Sequence, residues 1–321
     1  MINNYIKNKK ILITGGAGLL GTSLTKIFSS LDAEVISTYY KRQPPKKYKR
    51  MYKKYDFSNF ANCLKATSDI DYVVLAAVQA SGVKGVLENP TSSILPNLKI
   101  HAGLLEACAQ NKVKKVVWIS SSSVYQKCNY PISEDELDLN LPTYDLYLGV
   151  GWVYRYLEKL AECYYSKRGL QVGIIRTANI YGPYDRFDET KSHVIPSLIK
   201  RAINKENPFI VWGNKETVRD FVFSDDLSYA LLQVLEKYCN GKPINFSSGI
   251  GTNIGELVKL ILNVCDYSIK PTFDSSKPTA VPYRVLNNKI FMNKFKIFNR
   301  TSLLNGLKKT LDWYQSDDYR E

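Results

Sequence analysis

The chain has 321 residues, 45% of them hydrophobic, and carries 44 lysines and arginines against 30 aspartates and glutamates. No apolar run approaches the roughly 20 residues that span a bilayer, and the polar amino end lacks the apolar core of a signal peptide. These observations exclude a membrane-spanning class and predict a cytoplasmic protein without a membrane partner. Six scattered cysteines without a C-x-x-C pair predict reduced thiols, and two histidines argue against a histidine-built metal centre, so we expect no metal.

The segment KKILITGGAGLLGTSL, residues 9–24, predicts a strand, a tight turn and a helix. Gly15, Gly18 and Gly21 let the backbone approach a pyrophosphate, whose charge is favoured by free amides at a helix N-terminus. The spacing therefore predicts a dinucleotide site. The predicted cofactor-binding residues in this segment are Gly15, Gly18, Leu19 and Leu20. A glycine turn that only joins a buried strand to a helix is the alternative.

The second predicted strand, AEVISTYY, is followed by basic residues. It lacks the terminal acid that would accept a hydrogen bond from the adenosine ribose, whereas Lys41 and Arg42 suit a 2′-phosphate, so the choice between NAD and NADP stays open. Tyr40 is a further predicted cofactor contact. Residues 41–55 hold eight basic residues and no acid. We interpret them first as a solvated loop, second as help for an anionic ligand, and last as a nucleic-acid site, so no nucleic-acid partner is expected.

Strand-length apolar runs alternate with helix-length amphipathic segments up to residue 182. This alternation predicts an α/β fold of the Rossmann type, a doubly wound parallel sheet with crossover helices. We expect strands at 71–77, 114–125 and 171–183, helices at 98–110 and 151–169, and then helices at 194–204, 225–237 and 303–314 with short strands near 209–212 and 218–223. The predicted domains are a dinucleotide-binding domain, 1–182, and a smaller carboxyl-side substrate lobe, 183–321, with some segments returning to the first domain.

Seven motifs occur in the order seen in a known family. They are TGGAGLLG, YDFSN, LAAVQASG, ISSSSVY, RTANIYGP, RDFVFSDD and INFSSGIGTNIGEL. In these motifs the chain resembles, over nearly its whole length, the extended short-chain dehydrogenase/reductases, which are NAD-dependent epimerases and dehydratases of nucleotide sugars. Residues 181–202 and 211–221 are most similar to the branch of GDP-L-fucose synthases and GDP-manno-heptose C4 dehydrogenases. The resemblance implies a nicotinamide cofactor and a GDP-linked sugar.

The resemblance also implies contacts to the rest of the cofactor. Asp56 and Phe57 would hold the adenine, although Asp56 could instead cap a helix at 58–66. Ala76 and Ala77 are small where a strand would pass under the ribose and nicotinamide, with tight packing as the alternative. We favour NAD over NADP, which is not excluded, because oxidation of an alcohol is better driven by the more oxidised pool.

The family's catalytic pair is Tyr-x-x-x-Lys on a helix, in which the phenol moves the proton of the sugar hydroxyl. Lys159 is placed as the lysine, but Arg155 then stands where the tyrosine belongs, and a group with a pKa above about 12 is no general base. Tyr156 lies three residues before Lys159, near the same helix face. Three alternatives remain: a nearby tyrosine such as Tyr144 or Tyr147 supplies the phenol, the helix register shifts, or no phenol acts.

Further site residues are implied by the resemblance. Ser121 and Ser123 flank the substrate, with Ser121 at the reacting C4 oxygen, but a serine at 123 replaces a cysteine base and is too weak an acid to act unaided. His193 matches the acid of epimerisation, with a hydrogen bond to the sugar or to a loop as the alternative. The implied substrate-binding residues are Arg201 and Arg219 at the diphosphate and Trp212 near the nucleotide.

The departures from the family favour its simplest reaction. We predict an oxidoreductase that oxidises the C4 hydroxyl of a GDP-linked hexose or heptose with a tightly bound nicotinamide, which a 2-oxo acid re-oxidises as second substrate. The alternatives are a 3,5-epimerase/4-reductase and a non-catalytic dinucleotide-binding sensor. Family members dimerise through two helices, which here would be the helix that carries Lys159 and the helix that contains 105–110, so we expect a homodimer.

Overall fold

A computed structural model describes residues 4–79, 83–188, 192–277, 281–295, 300–316 and 319. The strands are β1 (Lys10–Thr14), β2 (Glu34–Tyr39), β3 (Tyr52–Lys54), β4 (Tyr72–Leu75), β5 (Lys115–Ser121), β6 (Gln171–Thr177), β7 (Asn179–Tyr181), β8 (Ile210–Trp212), β9 (Val218–Arg219), β10 (Phe221–Phe223), β11 (Pro243–Phe246), β12 (Thr252–Asn253), β13 (Thr272–Asp274) and β14 (Tyr283–Arg284). The α-helices are α1 (Leu19–Ser29), α2 (Phe60–Thr67), α3 (Val83–Glu88), α4 (Ile94–Gln110), α5 (Leu148–Arg168), α6 (Val194–Ile203), α7 (Ser224–Lys237), α8 (Ile254–Val264), α9 (Lys289–Lys294) and α10 (Leu303–Gln315).

Seven strands form one parallel sheet in the order β11-β6-β5-β4-β1-β2-β3. The central strands are almost wholly buried runs of apolar residues, since α1 packs with α7 and α4 packs with α2 and α5 to cover the sheet. This architecture confirms the predicted doubly wound parallel sheet. The strand order reverses between β1 and β4, and in such sheets ligands bind outside the carboxyl ends of the strands at that point.

The basic segment after β2 is more ordered than a solvated loop. Lys46–Met51 forms a 3₁₀ helix, and Tyr52–Lys54 forms β3, which pairs in parallel with β2. The buried Tyr52 hydroxyl donates to the Gly16 carbonyl (3.0 Å), which fixes this edge of the sheet to the glycine turn. The prediction of a loop was wrong for 46–54 because one tyrosine anchors an otherwise exposed basic stretch.

A second hydrophobic core packs α6, α8 and α10 with the short strand pairs β7–β10 and β8–β13. A separate three-stranded sheet has β9 between β12 and β14. The predicted strands at 171–183 and 218–223 are each interrupted, at Ala178 and at Asp220. Helix α7 and strand β11 pack in the first core although they follow residue 182 in sequence. The domain division at residue 182 remains a prediction. Within the described segments, no helix has the length and apolar character to span a membrane.

Candidate active site

The glycine turn after β1 is held against the end of β4. Gly15 has φ +68°, and its N–H donates to the Thr38 hydroxyl (3.1 Å). A Cβ at Gly15 would lie 2.6 Å from the Ala77 Cα and 2.8 Å from the Ala76 carbonyl oxygen, so only glycine fits. The Thr14 hydroxyl accepts from the N–H groups of both alanines at 3.1 Å. The structure thus brings Gly15, Ala76 and Ala77 into direct contact.

The N-terminus of α1 faces this turn. Gly18 is the N-cap and has no side chain that could cap the helix. The first helical turn begins with Leu19 and Leu20 and contains no acid. A Cβ at Gly21 would overlap the Gly15 carbonyl, so the helix starts directly at the turn. Unpaired first-turn amides and the positive end of the helix dipole favour an anion. These residues fit the phosphates of a dinucleotide, because the glycines keep the space in front of the helix N-terminus free of side chains that would fill it.

The predicted adenosine contacts lie at the end of β2 and just after β3. The Asp56 carboxylate accepts from the Ser58 N–H (2.9 Å) and hydroxyl (2.7 Å). These hydrogen bonds, with a smaller contribution from the Tyr40 hydroxyl, lower the pKa of Asp56. Phe57 is buried beneath this group. The alternative in which Asp56 caps α2 is wrong, because Asn59 is the N-cap of that helix.

The serines at the end of β5 meet the first turns of α5. The Ser121 hydroxyl accepts from the Ser123 N–H (3.1 Å), whereas the Ser123 hydroxyl is buried and has no partner among the described residues. A Cβ at Gly151 would lie 2.7 Å from the Ser123 carbonyl and 2.6 Å from a Thr143 methyl. Gly151 therefore lets α5 approach the serines closely.

Two buried side chains set the rotation of α5. Tyr154 stacks on Trp118 of β5 with ring centroids 5.7 Å apart, and its ring lies 6.2 Å from that of His101. The Arg155 guanidinium donates to the Val124 and Leu141 carbonyls, each at 2.7 Å. Arg155 therefore serves as a buried cross-link between α5 and the loop that follows β5.

This rotation turns Lys159 and Tyr156 away from the serines. The Lys159 ammonium pairs with Glu162 (2.8 Å), and 62% of its side chain is exposed. Lys159 also lines a cavity of about 210 Å³ beside Gly241 and Pro243, at the edge strand β11. Tyr156 is 56% exposed. The structure does not bring either residue to the group formed by the glycine turn, Ser121 and Ser123.

Two buried arginines lie side by side beyond the serines. Arg219 of β9 and Arg284 of β14 are direct partners in a parallel strand pair. Burial lowers the pKa of each guanidinium, and the charge of Arg284 lowers the pKa of Arg219 further. Among the described residues, neither forms an ion pair with a carboxylate. We name Arg219 and Arg284 the arginine pair. Sequence reasoning missed Arg284, whose only signal was a lone cation in the apolar stretch VPYRV.

The other predicted substrate residues lie elsewhere. Arg201 forms a bidentate pair with Glu206 (2.7 and 2.8 Å) and covers the Phe209 ring, so its charge is already matched. Trp212 is 55% exposed, with the Lys277 ammonium 5.9 Å from its ring centroid. The structure does not join Arg201 to the arginine pair.

Two aromatic residues precede α5 on the side of the arginine pair. Tyr144 and Tyr147 flank a 3₁₀ turn, with ring centroids 6.1 Å apart. Both are partly buried. Burial raises the pKa of Tyr147, whereas the charges of Arg219 and Arg284 act to lower it. Both tyrosines act electrostatically on Arg219, and Tyr147 also acts on Arg284, so the two rings lie in the surroundings of the arginine pair.

His193 lies at the N-cap position of α6. Its Nδ1 is 3.5 Å from the Asp185 Oδ1, and this pairing raises the pKa of the imidazole. Asp185 is buried, and its Oδ2 has no partner among the described residues. His193 is thus favoured in its protonated form by a buried carboxylate.

The sequence matches the model of the NAD dependent epimerase/dehydratase family over residues 11–249. The chain belongs to this family. It is 31% identical to the GDP-L-fucose synthase of Escherichia coli, over 79% of this chain and 83% of that one. Its fold is similar to that of a UDP-glucose 4-epimerase from Thermotoga maritima (TM-score 0.84, 24% identity, 95% and 98% coverage) and of a GDP-L-fucose synthetase from Naegleria fowleri bound to NADP (TM-score 0.80, 22% identity, 98% and 96% coverage).

These similarities confirm the predicted relationship to the extended short-chain dehydrogenase/reductases and to the GDP-L-fucose synthase branch. The matched region begins in β1 and therefore includes the glycine turn. The individual site residues remain predictions.

Proposed function

We propose that this member of the epimerase/dehydratase family oxidises the C4 hydroxyl of a GDP-linked hexose or heptose. The nicotinamide dinucleotide would lie across the glycine turn, with its phosphates at Leu19 and Leu20 and its ribose over Ala76 and Ala77. When bound, it accepts a hydride from the sugar. Ser121 would hydrogen-bond the C4 oxygen, and the arginine pair would hold the diphosphate.

The arginine pair is the observation that carries this proposal. The Arg284 guanidinium donates to the Gln126 and Tyr125 carbonyls (3.1 and 3.2 Å), and that of Arg219 donates to the Val218 carbonyl (2.7 Å). No carboxylate of the described residues balances either buried charge, which is costly unless an anion joins the two groups. A planar guanidinium binds phosphate oxygens in a bidentate manner, and two of them suit a diphosphate. The relative from Escherichia coli is a GDP-L-fucose synthase, which supports a GDP-linked sugar as the ligand.

The cofactor form remains open between NAD and NADP. We keep NAD as the favoured oxidant, because oxidation of an alcohol is better driven by the more oxidised cofactor pool. The Arg42 guanidinium donates to the Tyr184 carbonyl (2.9 Å), so it is held near the end of β2, where a 2′-phosphate would lie. The relative from Naegleria fowleri is bound to NADP, which supports testing both forms with the same preparation.

Calorimetric titration with GDP tests the arginine pair. Arg219→Gln and Arg284→Gln should each weaken GDP binding by about 30-fold, equivalent to about 2 kcal/mol for a buried charged partner. Arg168→Gln is the control, because Arg168 is a surface residue of α5 whose ion pair is with Glu106 of α4 (3.8 Å), and this variant should bind GDP with unchanged affinity. Unaltered binding in both pair variants would refute the diphosphate site.

Absorbance in the reduced-nicotinamide band tests the reaction. Adding GDP-mannose or a GDP-heptose to the protein with NAD or NADP should raise this band, and a 2-oxo acid should bleach it again. No change with any GDP-sugar, together with intact GDP binding, would instead favour the second candidate, a dinucleotide-binding sensor. That candidate is favoured by one observation, the outward orientation of Lys159 and Tyr156.

We also propose a homodimer formed through α4 and α5. Leu148, Trp152 and Tyr156 repeat at intervals of four residues on α5, and each is exposed. Such an apolar stripe is typical of a helix face that a partner covers. Sedimentation equilibrium of the wild type and of Trp152→Glu would test it, with a monomeric variant as the expected result.

A further inference from the structure

We propose that the cavity beside the edge strand β11 binds a small zwitterion, a free α-amino acid with a compact apolar side chain. The cavity has a volume of about 210 Å³ and is bordered by α5, β6, β11 and the 3₁₀ turn Glu134–Glu136. The described residues around it include none of those that hold the dinucleotide, the C4 oxygen or the diphosphate in the proposed function. The site is therefore independent of that function.

The charges around the cavity are balanced in number but not all paired. Three cations and three carboxylates border it. Two ion pairs are formed between them, Arg176 with Glu158 (2.7 Å) and Lys159 with Glu162 (2.8 Å). In the described part of the chain, the remaining two groups, Arg155 and Glu134, form no ion pair. One cation and one carboxylate thus border the same space without a charged partner, and a ligand with both signs of charge complements them.

The Arg155 guanidinium has unmet hydrogen-bond donors. It is buried, and its Nε and Nη1 donate to the Val124 and Leu141 carbonyls. Its Nη2 is also buried and has no hydrogen-bond partner among the described residues. The Trp152 ring lies 4.6 Å from the Cζ, but such a face contact leaves the in-plane N–H bonds of Nη2 unmet. A carboxylate accepts hydrogen bonds from a guanidinium in that plane and removes the cost of the buried, unpaired charge.

The Glu134 carboxylate supplies the opposite charge. Its Oε1 accepts from the Asn245 N–H (2.8 Å), which holds the carboxylate against β11. The Glu134 main-chain carbonyl accepts from the Arg176 guanidinium (3.2 Å), so the turn is fixed to β6 as well. Burial raises the pKa of this carboxylate. A ligand ammonium group beside it favours the ionised form and offsets that cost.

The size and the walls of the cavity restrict the zwitterion. The volume is several times the roughly 30 Å³ that a water occupies in the liquid, and it is below the roughly 300 Å³ at which pockets for drug-sized ligands begin. An α-amino acid carries its carboxylate, its ammonium and its side chain on one carbon, so it presents two charges and an apolar group within a small volume. The residues that form the apolar walls are Leu137, Leu139, Gly241 and Pro243.

Saturation-transfer NMR titration with L-valine and two analogues tests the ligand class. The wild type should bind L-valine with a dissociation constant of about 1 mM, as expected for so small a ligand. Isovalerate lacks the ammonium and isobutylamine lacks the carboxylate, so each should bind about 10-fold more weakly or worse. No binding of L-alanine, L-valine or L-leucine to the wild type would overturn the proposal. Equal affinity for L-valine and isovalerate would overturn the assignment of a zwitterion.

Variants of the two unpaired groups locate the ligand. Glu134→Gln removes the charge but keeps an oxygen for the Asn245 N–H, and it should weaken L-valine binding about 10-fold while isovalerate binds as before. Arg155→Lys keeps a cation but loses Nη2, so it should weaken the binding of both. Asp135→Asn is the matched control, because Asp135 is the exposed neighbour of Glu134 and does not border the cavity. Its affinity for L-valine should stay within about twofold of the wild type.

Urea unfolding of each variant separates loss of the site from loss of the fold. Arg155 also joins α5 to the loop after β5, so Arg155→Lys is the variant whose stability is most exposed to change. Glu134→Gln keeps the hydrogen bond to Asn245 and decides the outcome even where Arg155→Lys does not fold. Wild-type affinity for L-valine in a folded Glu134→Gln chain would overturn the site.

Discussion

The cofactor side and the sugar side of the proposed site are built from different parts of the chain. The cofactor side is made of backbone, in which Gly15 and Gly21 touch main-chain atoms of neighbouring elements. The sugar side is made of side chains from distant segments, with Arg219 and Arg284 brought together only by the pairing of β9 with β14. A backbone site depends on local sequence and tolerates few substitutions, whereas a side-chain site can be rearranged while the fold is kept.

The largest expected effect is on the backbone side. Gly15→Ala adds a Cβ at positive φ, which costs about 1–2 kcal/mol, and forces it into β4, which costs about 1–3 kcal/mol. Unfolding by urea should therefore show a loss of roughly 3.5 kcal/mol in the free energy of unfolding, and calorimetry should show no dinucleotide binding.

Gly169→Ala is the matched control for this prediction. Gly169 has the same φ of +68°, but a Cβ there would meet nothing within 4 Å. Only the cost of positive φ remains, so the loss should be about 1–2 kcal/mol with binding unchanged. If Gly15→Ala and Gly169→Ala lower the free energy of unfolding by equal amounts, contact with the end of β4 does not contribute to the stability of the turn.

The same difference explains how much the sequence could predict. The glycine turn and the alternating strands are local patterns, so the Rossmann-type sheet was predictable. The rotation of α5 was not, because it depends on Tyr154 packing against Trp118 and Gly151 against Ser123. The spacing along α5 puts Lys159 on the same helix face as Arg155, but it does not show which face of the helix meets the serines.

Neighbouring residues on α5 provide the next test, of intermediate size. Glu158 is buried, accepts from Ser120 (2.6 Å), and pairs with the buried Arg176 (2.7 Å), whereas Lys159 is at the surface. Glu158→Gln should lower the free energy of unfolding by about 3 kcal/mol, because it leaves the Arg176 charge unpaired. Urea denaturation of Glu158→Gln, with Lys159→Ala for comparison, measures the effect.

Lys159→Ala should change stability by less than about 0.5 kcal/mol, as is usual for an exposed ion pair. It should also leave cofactor binding and hydride transfer intact. Loss of hydride transfer in a stable Lys159→Ala chain would instead restore Lys159 as the lysine of the catalytic pair and contradict the orientation of α5 described here.

The last comparison concerns pH and the two histidines, which lie in different surroundings. His101 lies in the first core, where burial lowers its pKa to about 4, and His193 lies beside Asp185, which raises its pKa above the ordinary 6.5. For His101, stability is full above pH 6.5 and falls as the pH drops toward 4, because only the unfolded chain binds the proton readily. For His193, the contribution is full below pH 6.5 and is lost as the pH rises through its folded pKa.

Between about pH 6.5 and 8 the His101 contribution is constant, so a decline of less than about 1 kcal/mol in the free energy of unfolding over this range belongs to His193. Urea denaturation at several pH values should show the decline vanish in Asp185→Asn and persist in His101→Gln, and the opposite pattern would contradict the pairing of His193 with Asp185.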